Sequence, residues 1–190
     1  MTGADETEAH AAGRLRNLLS HARETGRGAA PVHLWNPPHC GTIPMRIAAD
    51  GTWHYNGSPI AREAMVRLFA SILRREPDGT TVLVTPVEKV EIAVDDAPFQ
   101  AVEMAVEGSG TDAAITVRTS LGDTVRANAE HPLRLALDDA GGFVPYVTVR
   151  GGLEARFTRA LALELAEEIV AHDGRDGVWS GGTFFAVAQQ

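Results

Sequence analysis

Hydrophobic and polar positions follow two different spacings along the chain, and their order predicts the secondary structure. Apolar and polar residues alternate in 45–49 and 52–56, on either side of Asp50-Gly51, a pair typical of β-hairpin turns of type I′. The spacing then lengthens to that of a helix, with an apolar stripe between residues 65 and 73. A Gly-Ser-Pro helix start at residues 57–59 precedes it. The pattern predicts a hairpin followed by a long amphipathic helix.

The same order of patterns recurs between residues 133 and 169. Alternating leucines at 133–137 lead through a turn at 138–142 into an apolar strand at 143–149, and a helical stripe runs from 153 to 169. Further strands are predicted at residues 81–84, 87–94, 102–106, 115–119, 124–127 and 178–187. The recurrence predicts an α+β fold of two similar lobes. Each lobe is built from a repeated strand-turn-strand-helix-strand unit, with curled antiparallel sheets covered by helices.

The predicted elements divide the chain into three segments. Residues 1–30 form a polar tail and a short N-terminal helix, whose apolar stripe runs between His10 and Glu24. Residues 31–100 form the first α+β lobe and residues 101–190 the second. A single integrated domain is the alternative that the sequence leaves open.

Composition and charge narrow the class of protein. The chain has 190 residues, 44% of them hydrophobic, and a formal net charge of −8, which argues against a nucleic-acid partner. The N-terminal segment is acidic and polar, unlike a secretory signal, and no run of eighteen apolar residues suggests a membrane span. These features predict a soluble, cytoplasmic protein that contacts no membrane. With Cys40 as the single cysteine, no internal disulfide can form.

Two groups of residues suggest chemistry, but neither matches a diagnostic motif. His33, His39, Cys40 and His54 fit neither a zinc-ligand spacing nor a cysteine-protease signature, and whether they converge stays open. We therefore predict no catalytic residue, no metal and no cofactor. Arg150 precedes Gly151-Gly152 and a predicted helix, which is compatible with an anion site or with a structural corner.

Aromatic and polar residues supply the ligand-binding prediction. Such side chains gather where a pocket has an apolar floor and polar groups at its rim, although a tryptophan can equally belong to the core. The candidate ligand-binding residues are Trp35, Asn36, Arg46, Trp53, Tyr55, Tyr146, Arg150 and Trp179.

Short motifs after residue 30 also carry a family resemblance. They include His33-Leu34-Trp35-Asn36-Pro37, Asp50-Gly51-Thr52-Trp53, Thr85-Pro86-Val87-Glu88-Lys89-Val90, Arg150-Gly151-Gly152-Leu153 and Val178-Trp179-Ser180-Gly181-Gly182. In combination they resemble the bacterial family DUF1285, a domain of unknown function. The resemblance implies an α+β fold with a repeated motif and no established activity; a role in bacterial signal transduction has been suggested for such proteins. An acidic residue expected before Met45 is replaced here by Pro44.

Three hypotheses for function follow. The favoured one is a non-catalytic module that binds a small ligand, or a regulatory module of the signal-transduction type. The first alternative is a protein–protein interaction module without a small ligand. The second is a hydrolase-like enzyme that uses the His and Cys residues of the 33–54 region. The expected partner is a small molecule or a protein of unknown identity, and a homodimer agrees with the frequency of symmetric pairs.

Overall fold

The computed structural model describes residues 29–188 together with Gly13, Asn17, Leu18 and Ser20. The chain divides into two compact units, Met1–Asp95 and Asp96–Gln190. The four described residues of the predicted N-terminal helix are helical and Leu18 is buried; the rest of that helix lies outside the described residues.

The first unit contains a six-stranded sheet in the order β3-β2-β1-β6-β5-β4. Strands β1 and β6 pair in parallel, and the other neighbours are antiparallel. One α-helix, α1, lies between β3 and β4 in sequence. The bounds are β1 His39–Ile47, β2 Trp53–Tyr55, β3 Ser58–Pro59, α1 Glu63–Ser71, β4 Leu73–Arg75, β5 Thr81–Val84 and β6 Lys89–Val94.

The second unit contains a six-stranded sheet in the order β10-β11-β12-β7-β8-β9, with β12 and β7 parallel. The bounds are β7 Phe99–Glu107, β8 Ala114–Thr119, β9 Thr124–Arg126, β10 Leu133–Leu137, β11 Phe143–Arg150 and β12 Leu153–Phe157. Helix α2, Arg159–Glu167, follows the sheet and leads into a third sheet of three antiparallel strands: β13 Val170–His172, β14 Arg175–Ser180 and β15 Thr183–Ala186. Short 3-10 turns lie at Val32–Leu34 and Gly110–Asp112.

The central strand β1 shows why this sequence forms a sheet. Ile43, Met45 and Ile47 are almost completely buried, while Pro44 and Arg46 between them are exposed. A period of two places all three apolar side chains on one face of the strand. That face forms part of the core of the first unit.

Two kinds of tight turn connect the strands. At residues 48–51 the amide of Gly51 donates to the carbonyl of Ala48, so Ala49 and Asp50 are the central pair of the turn. Neither of them has a positive φ, and Gly51, which ends the turn, has a φ of 83°. The Asp50-Gly51 hairpin therefore forms, but not through the expected type I′ turn, which requires two positive φ values. Asn56 and Gly57, with φ values of 49° and 76°, do form such a turn between β2 and β3.

The predicted fold class was wrong. Residues 29–188 are mostly β, with two nine-residue α-helices that do not cover the sheets, and both large sheets are mixed rather than antiparallel. Ser58-Pro59, expected to start a long helix, forms strand β3, and Leu73 begins β4. Residues 153–157 form β12 instead of the first turns of a helix.

The error at β12 has a simple physical origin. Leu153 and Phe157 are four residues apart, a distance that suits one face of a helix and one face of a strand equally well. The buried Ala155 between them completes the period of two, but a small residue gives little signal. Residues 153–157 adopt the strand conformation because they pair with β7 and β11.

Candidate functional site

The candidate residues of the first unit do not converge on one site. Trp53 is 2% exposed and stacks on Phe69, with 6.2 Å between ring centroids, so it belongs to the core. Within the described residues its indole nitrogen has no hydrogen-bond partner. Tyr55 shares this face of β2, whereas Arg46 pairs opposite His54 and lies on the other face of the sheet.

Arg46 forms an exposed ion pair on that outer face. Its Nε donates to Asp95 at 2.7 Å, and its Nη2 also contacts this carboxylate. The hydrogen bonds from Arg46 lower the pKa of Asp95, and the pKa of the guanidinium is raised in turn. Since both groups are solvated, the pair ties β1 to the end of β6 with little gain in stability.

Trp35 and Asn36 lie in a loop that is fixed through its backbone. Nη1 of Arg74 donates to the carbonyl oxygens of Val32 and Trp35, at 2.9 and 2.6 Å. The side chain of Trp35 is half-buried and Asn36 is exposed. Arg74 holds this loop against strand β4.

The same arginine belongs to a partly buried charged network. Glu76 accepts hydrogen bonds from Arg74 Nε at 2.6 Å and from Lys89 Nζ at 2.8 Å. The bond from Lys89 is the largest cause that lowers the pKa of Glu76, and Arg74 adds to it. All three side chains are only 16–18% exposed, so the loss of one charge would leave its partners shielded from water and uncompensated, which destabilises the first unit.

The histidines and the cysteine of the 33–54 region are not assembled into a site. His39 lies seven residues before Arg46 on β1, and Arg46 pairs with His54, which separates His39 from His54 by roughly 20 Å of extended strand. The Cys40 thiol donates to the carbonyl of Pro38 at 3.6 Å. Across residues 29–188, no group of three or more His, Cys, Asp and Glu side chains could hold a metal ion.

In the second unit, Tyr146 anchors a polar cluster. Its hydroxyl donates to Asp96 at 2.9 Å, and Arg156 Nη1 donates to the same carboxylate at 2.7 Å. The Arg134 guanidinium lies 3.7 Å from the centroid of the Tyr146 ring and also pairs with Glu154. Burial, followed by the hydrogen bond to Asp96, raises the pKa of Tyr146. With its charges matched, the cluster fixes the start of the second unit to its sheet.

Arg150 does not lie beside a helix terminus. Gly151 and Gly152, with φ values of 51° and 76°, form the tight turn between β11 and β12, and α2 begins only at Arg159. Of the two alternatives for this corner, an anion site at a helix terminus is wrong because no helix begins here, and the two glycines serve the turn. Arg150 pairs with Asp123 and lies over the ring of Phe99, 4.8 Å from its centroid.

Trp179 lies in an aromatic cluster on the third sheet. Its ring is 4.9 Å from His172 and 5.3 Å from Phe184, measured between centroids, and the three rings pack edge to face or tilted. Gly177 makes room for Phe184, since an added Cβ would lie 2.6 Å from that ring. The three rings pack against one another and stabilise the third sheet.

The second unit also contains a cavity of about 370 Å³ that the sequence did not reveal. It is bounded by the β10–β11 hairpin, the end of α2 and the third sheet. Its lining includes the apolar residues Leu137, Phe143, Ile169 and Val187 and the charged residues Arg175 and Asp176. None of the eight predicted ligand-binding residues is part of it. The apolar pattern in residues 133–143 and 166–187 was visible, but which segments meet depends on long-range pairing.

Fold and cavity together define a mostly β protein of two units with a small-molecule-sized cavity in the second unit. A model of the DUF1285 N-terminal domain, of unknown function, matches residues 30–97, and a model of the DUF1285 C-terminal domain, also of unknown function, matches residues 98–187. The chain belongs to the DUF1285 family, as its motifs suggested. No helix in the described part of the chain is both long and apolar enough to cross a membrane.

Two solved structures are similar to this chain. The crystal structure of a DUF1285 family protein from Silicibacter pomeroyi DSS-3 is 52% identical, with a TM-score of 0.83 over 90% of this chain and 93% of that chain. A DUF1285 family protein from Shewanella baltica OS155 is 29% identical, with a TM-score of 0.51 over 66% of this chain and 91% of that chain. No curated protein matches the sequence.

Proposed function

We propose that the protein is a non-catalytic, regulatory module that binds a small ligand in the cavity of its second unit. The observation that carries the proposal is the cavity itself, about 370 Å³ in volume. Small-molecule sites are concave, mostly apolar and roughly 300–1,000 Å³ in size, with a few polar groups that orient the ligand. Leu137, Phe143, Ile169 and Val187 supply apolar walls of this kind.

The lining favours binding over chemistry. Its charged residues, Arg175 and Asp176, are neighbours on β14, and neighbouring side chains start on opposite faces of a strand. Acid–base or nucleophilic catalysis needs two groups within hydrogen-bonding reach of the reacting atoms. Apolar walls with one carboxylate and one guanidinium that start on opposite faces of the strand are suited to hold a ligand and release it unchanged.

The position of the cavity supports a regulatory role. A ligand there would contact the β10–β11 hairpin, the segment after α2 and the third sheet, which are far apart in sequence. Because the ligand binds only when these segments are together, it would stabilise the packing of the third sheet against the six-stranded sheet of the second unit. A partner that binds one conformation of this segment would respond to the change in its stability.

Chemical-shift mapping by NMR tests the proposal. A low-molecular-mass bacterial extract is added to the labelled protein and to two variants, Ala166→Leu and Ala160→Leu. Ala166 lines the cavity near the end of α2, whereas Ala160 is exposed at its start. We expect shifts at Leu137, Ile169 and Val187 that disappear in Ala166→Leu and persist in Ala160→Leu. Shifts that Ala166→Leu leaves unchanged would place the ligand elsewhere and refute the proposal.

A further inference from the structure

The faces of strand β14 show where the two charged residues of the cavity lining start. Asp176, Val178 and Ser180 alternate onto one face, and Val178 and Ser180 are fully buried there. Arg175 starts on the opposite face, together with Trp179. Asp176 therefore starts on the same face as these buried residues, at its solvent-exposed end, and Arg175 lines the cavity from the other face.

Backbone contacts place Asp176 next to an apolar wall of the cavity. Its carbonyl accepts a hydrogen bond from the amide of Val187 at 2.8 Å, and Val187 lines the cavity beside it. Within residues 29–188, its carboxylate makes no hydrogen bond or ion pair with another side chain. An acidic group next to apolar walls is complementary to a cation with an apolar body.

We propose, building on the binding function above, that the ligand of this cavity is a small apolar amine. Its ammonium group pairs with the Asp176 carboxylate, and its hydrocarbon part lies against Leu137, Phe143 and Ile169. The net charge of −8 adds a general attraction for cations. The volume of about 370 Å³ restricts the ligand to the size of a small metabolite.

Three probes with the same branched hydrocarbon separate the contribution of charge from that of the apolar body. They are 3-methylbutan-1-amine, 3-methylbutan-1-ol and 3-methylbutanoic acid, each titrated into the full chain and followed by NMR shifts at the cavity residues. We expect the amine to bind most tightly and the acid most weakly. The alcohol carries no charge, so its affinity measures the contribution of the apolar walls without an ion pair.

Two carboxylate-to-amide variants complete the test. Asp176→Asn should weaken binding of the amine by about fivefold or more and leave binding of the alcohol unchanged. Asp139→Asn, which changes an exposed carboxylate on the β10–β11 turn, should alter neither. If the alcohol binds as well as the amine, or if Asp176→Asn has no effect, the amine proposal is overturned while the cavity remains a ligand site. If no probe shifts the cavity residues, the amine proposal is also overturned, and the mapping with bacterial extract decides separately whether the cavity binds another ligand.

Discussion

The two large sheets share one topology but differ in what is attached to them. Each consists of two three-stranded meanders, and in each the first strand of the first meander pairs in parallel with the last strand of the second. In the first unit, α1 connects the two meanders. In the second unit, residues 127–132 make that connection, and α2 follows the completed sheet instead.

This difference explains where the cavity forms. The segment after β12 adds α2 and the third sheet to the second unit, and the cavity lies where this addition meets the β10–β11 hairpin. The chain after β6 in the first unit has no such addition, because the second unit begins there. In the second unit the shared sheet thus carries a candidate binding site where extra elements cover its edge.

The two units also depend on different contacts. Phe69 is fully buried and stacks on Trp53 in the first unit. We expect Phe69→Ala to destabilise that unit by about 4 kcal/mol, because it removes a buried ring and leaves a cavity. Hydrogen–deuterium exchange should accelerate in peptides from residues 39–95.

Two comparisons test whether the effect of Phe69→Ala is confined to the first unit: a control variant, and hydrogen–deuterium exchange in the second unit. Val87→Ala changes an exposed side chain in the first unit, and we expect an effect below about 0.5 kcal/mol. Faster exchange spread equally over residues 99–180 in Phe69→Ala would show that the two units do not depend on separate cores.

In the second unit, a buried serine hydroxyl connects the third sheet to the six-stranded sheet. Ser180 Oγ accepts from the amide of Ile115 at 2.9 Å and donates to the carbonyl of Ala127 at 2.7 Å. Ser180→Ala leaves both buried backbone groups without this partner, and we expect a loss of about 3 kcal/mol. Urea unfolding followed by the NMR signal of the Trp179 indole N–H measures it.

Ser58→Ala is the matched control for this prediction. Ser58 is exposed on β3, so its removal should change stability by less than about 0.5 kcal/mol. An equal response of Ser180→Ala and Ser58→Ala would mean that the hydroxyl does not hold the third sheet against the six-stranded sheet of the second unit.

A smaller change in the free energy of unfolding is expected when the charged network of the first unit is broken. Lys89 and Arg74 hold the pKa of Glu76 below its ordinary value, so the carboxylate stabilises the fold above the unfolded pKa of about 4.3. This stabilisation is lost as the pH falls through the lowered pKa of the folded state. We expect Glu76→Gln to cost about 2 kcal/mol at pH 7 and less at pH 3, as measured by urea unfolding at both values.

Glu63→Gln provides the comparison within the same unit. Glu63 pairs with Arg67 one helical turn away, and both side chains are more than half exposed. Its removal should cost about 0.3 kcal/mol. A pH-independent cost for Glu76→Gln would contradict the role assigned to the network.

Local features of this fold could be predicted from the sequence, and long-range ones could not. The hairpin at Asp50-Gly51 and the alternation in β1 follow from neighbouring residues. The parallel pairing of β1 with β6 depends on segments about fifty residues apart, and no local pattern encodes it. The helices were predicted too long because apolar residues at a spacing of four also suit a strand.

The same limit applies to the candidate site. Asp96 is bonded to Tyr146 and Arg156, fifty and sixty residues further along the chain, so Tyr146 was identified but its partners were not. The positions of Glu154 and Arg156 in this cluster could not be predicted, because the pattern of residues 153–157 also suits a helix. The cavity joins three segments that approach one another only after the second sheet and the third sheet have formed.

Native mass spectrometry tests the central claim most directly. Gently purified protein is compared with the Ala166→Leu and Ala160→Leu variants under native and denaturing conditions. We predict a small-molecule adduct on the wild type and on Ala160→Leu that is lost on denaturation and is missing from Ala166→Leu. An adduct of equal occupancy on all three proteins, or none on the wild type, would contradict ligand binding in the cavity of the second unit.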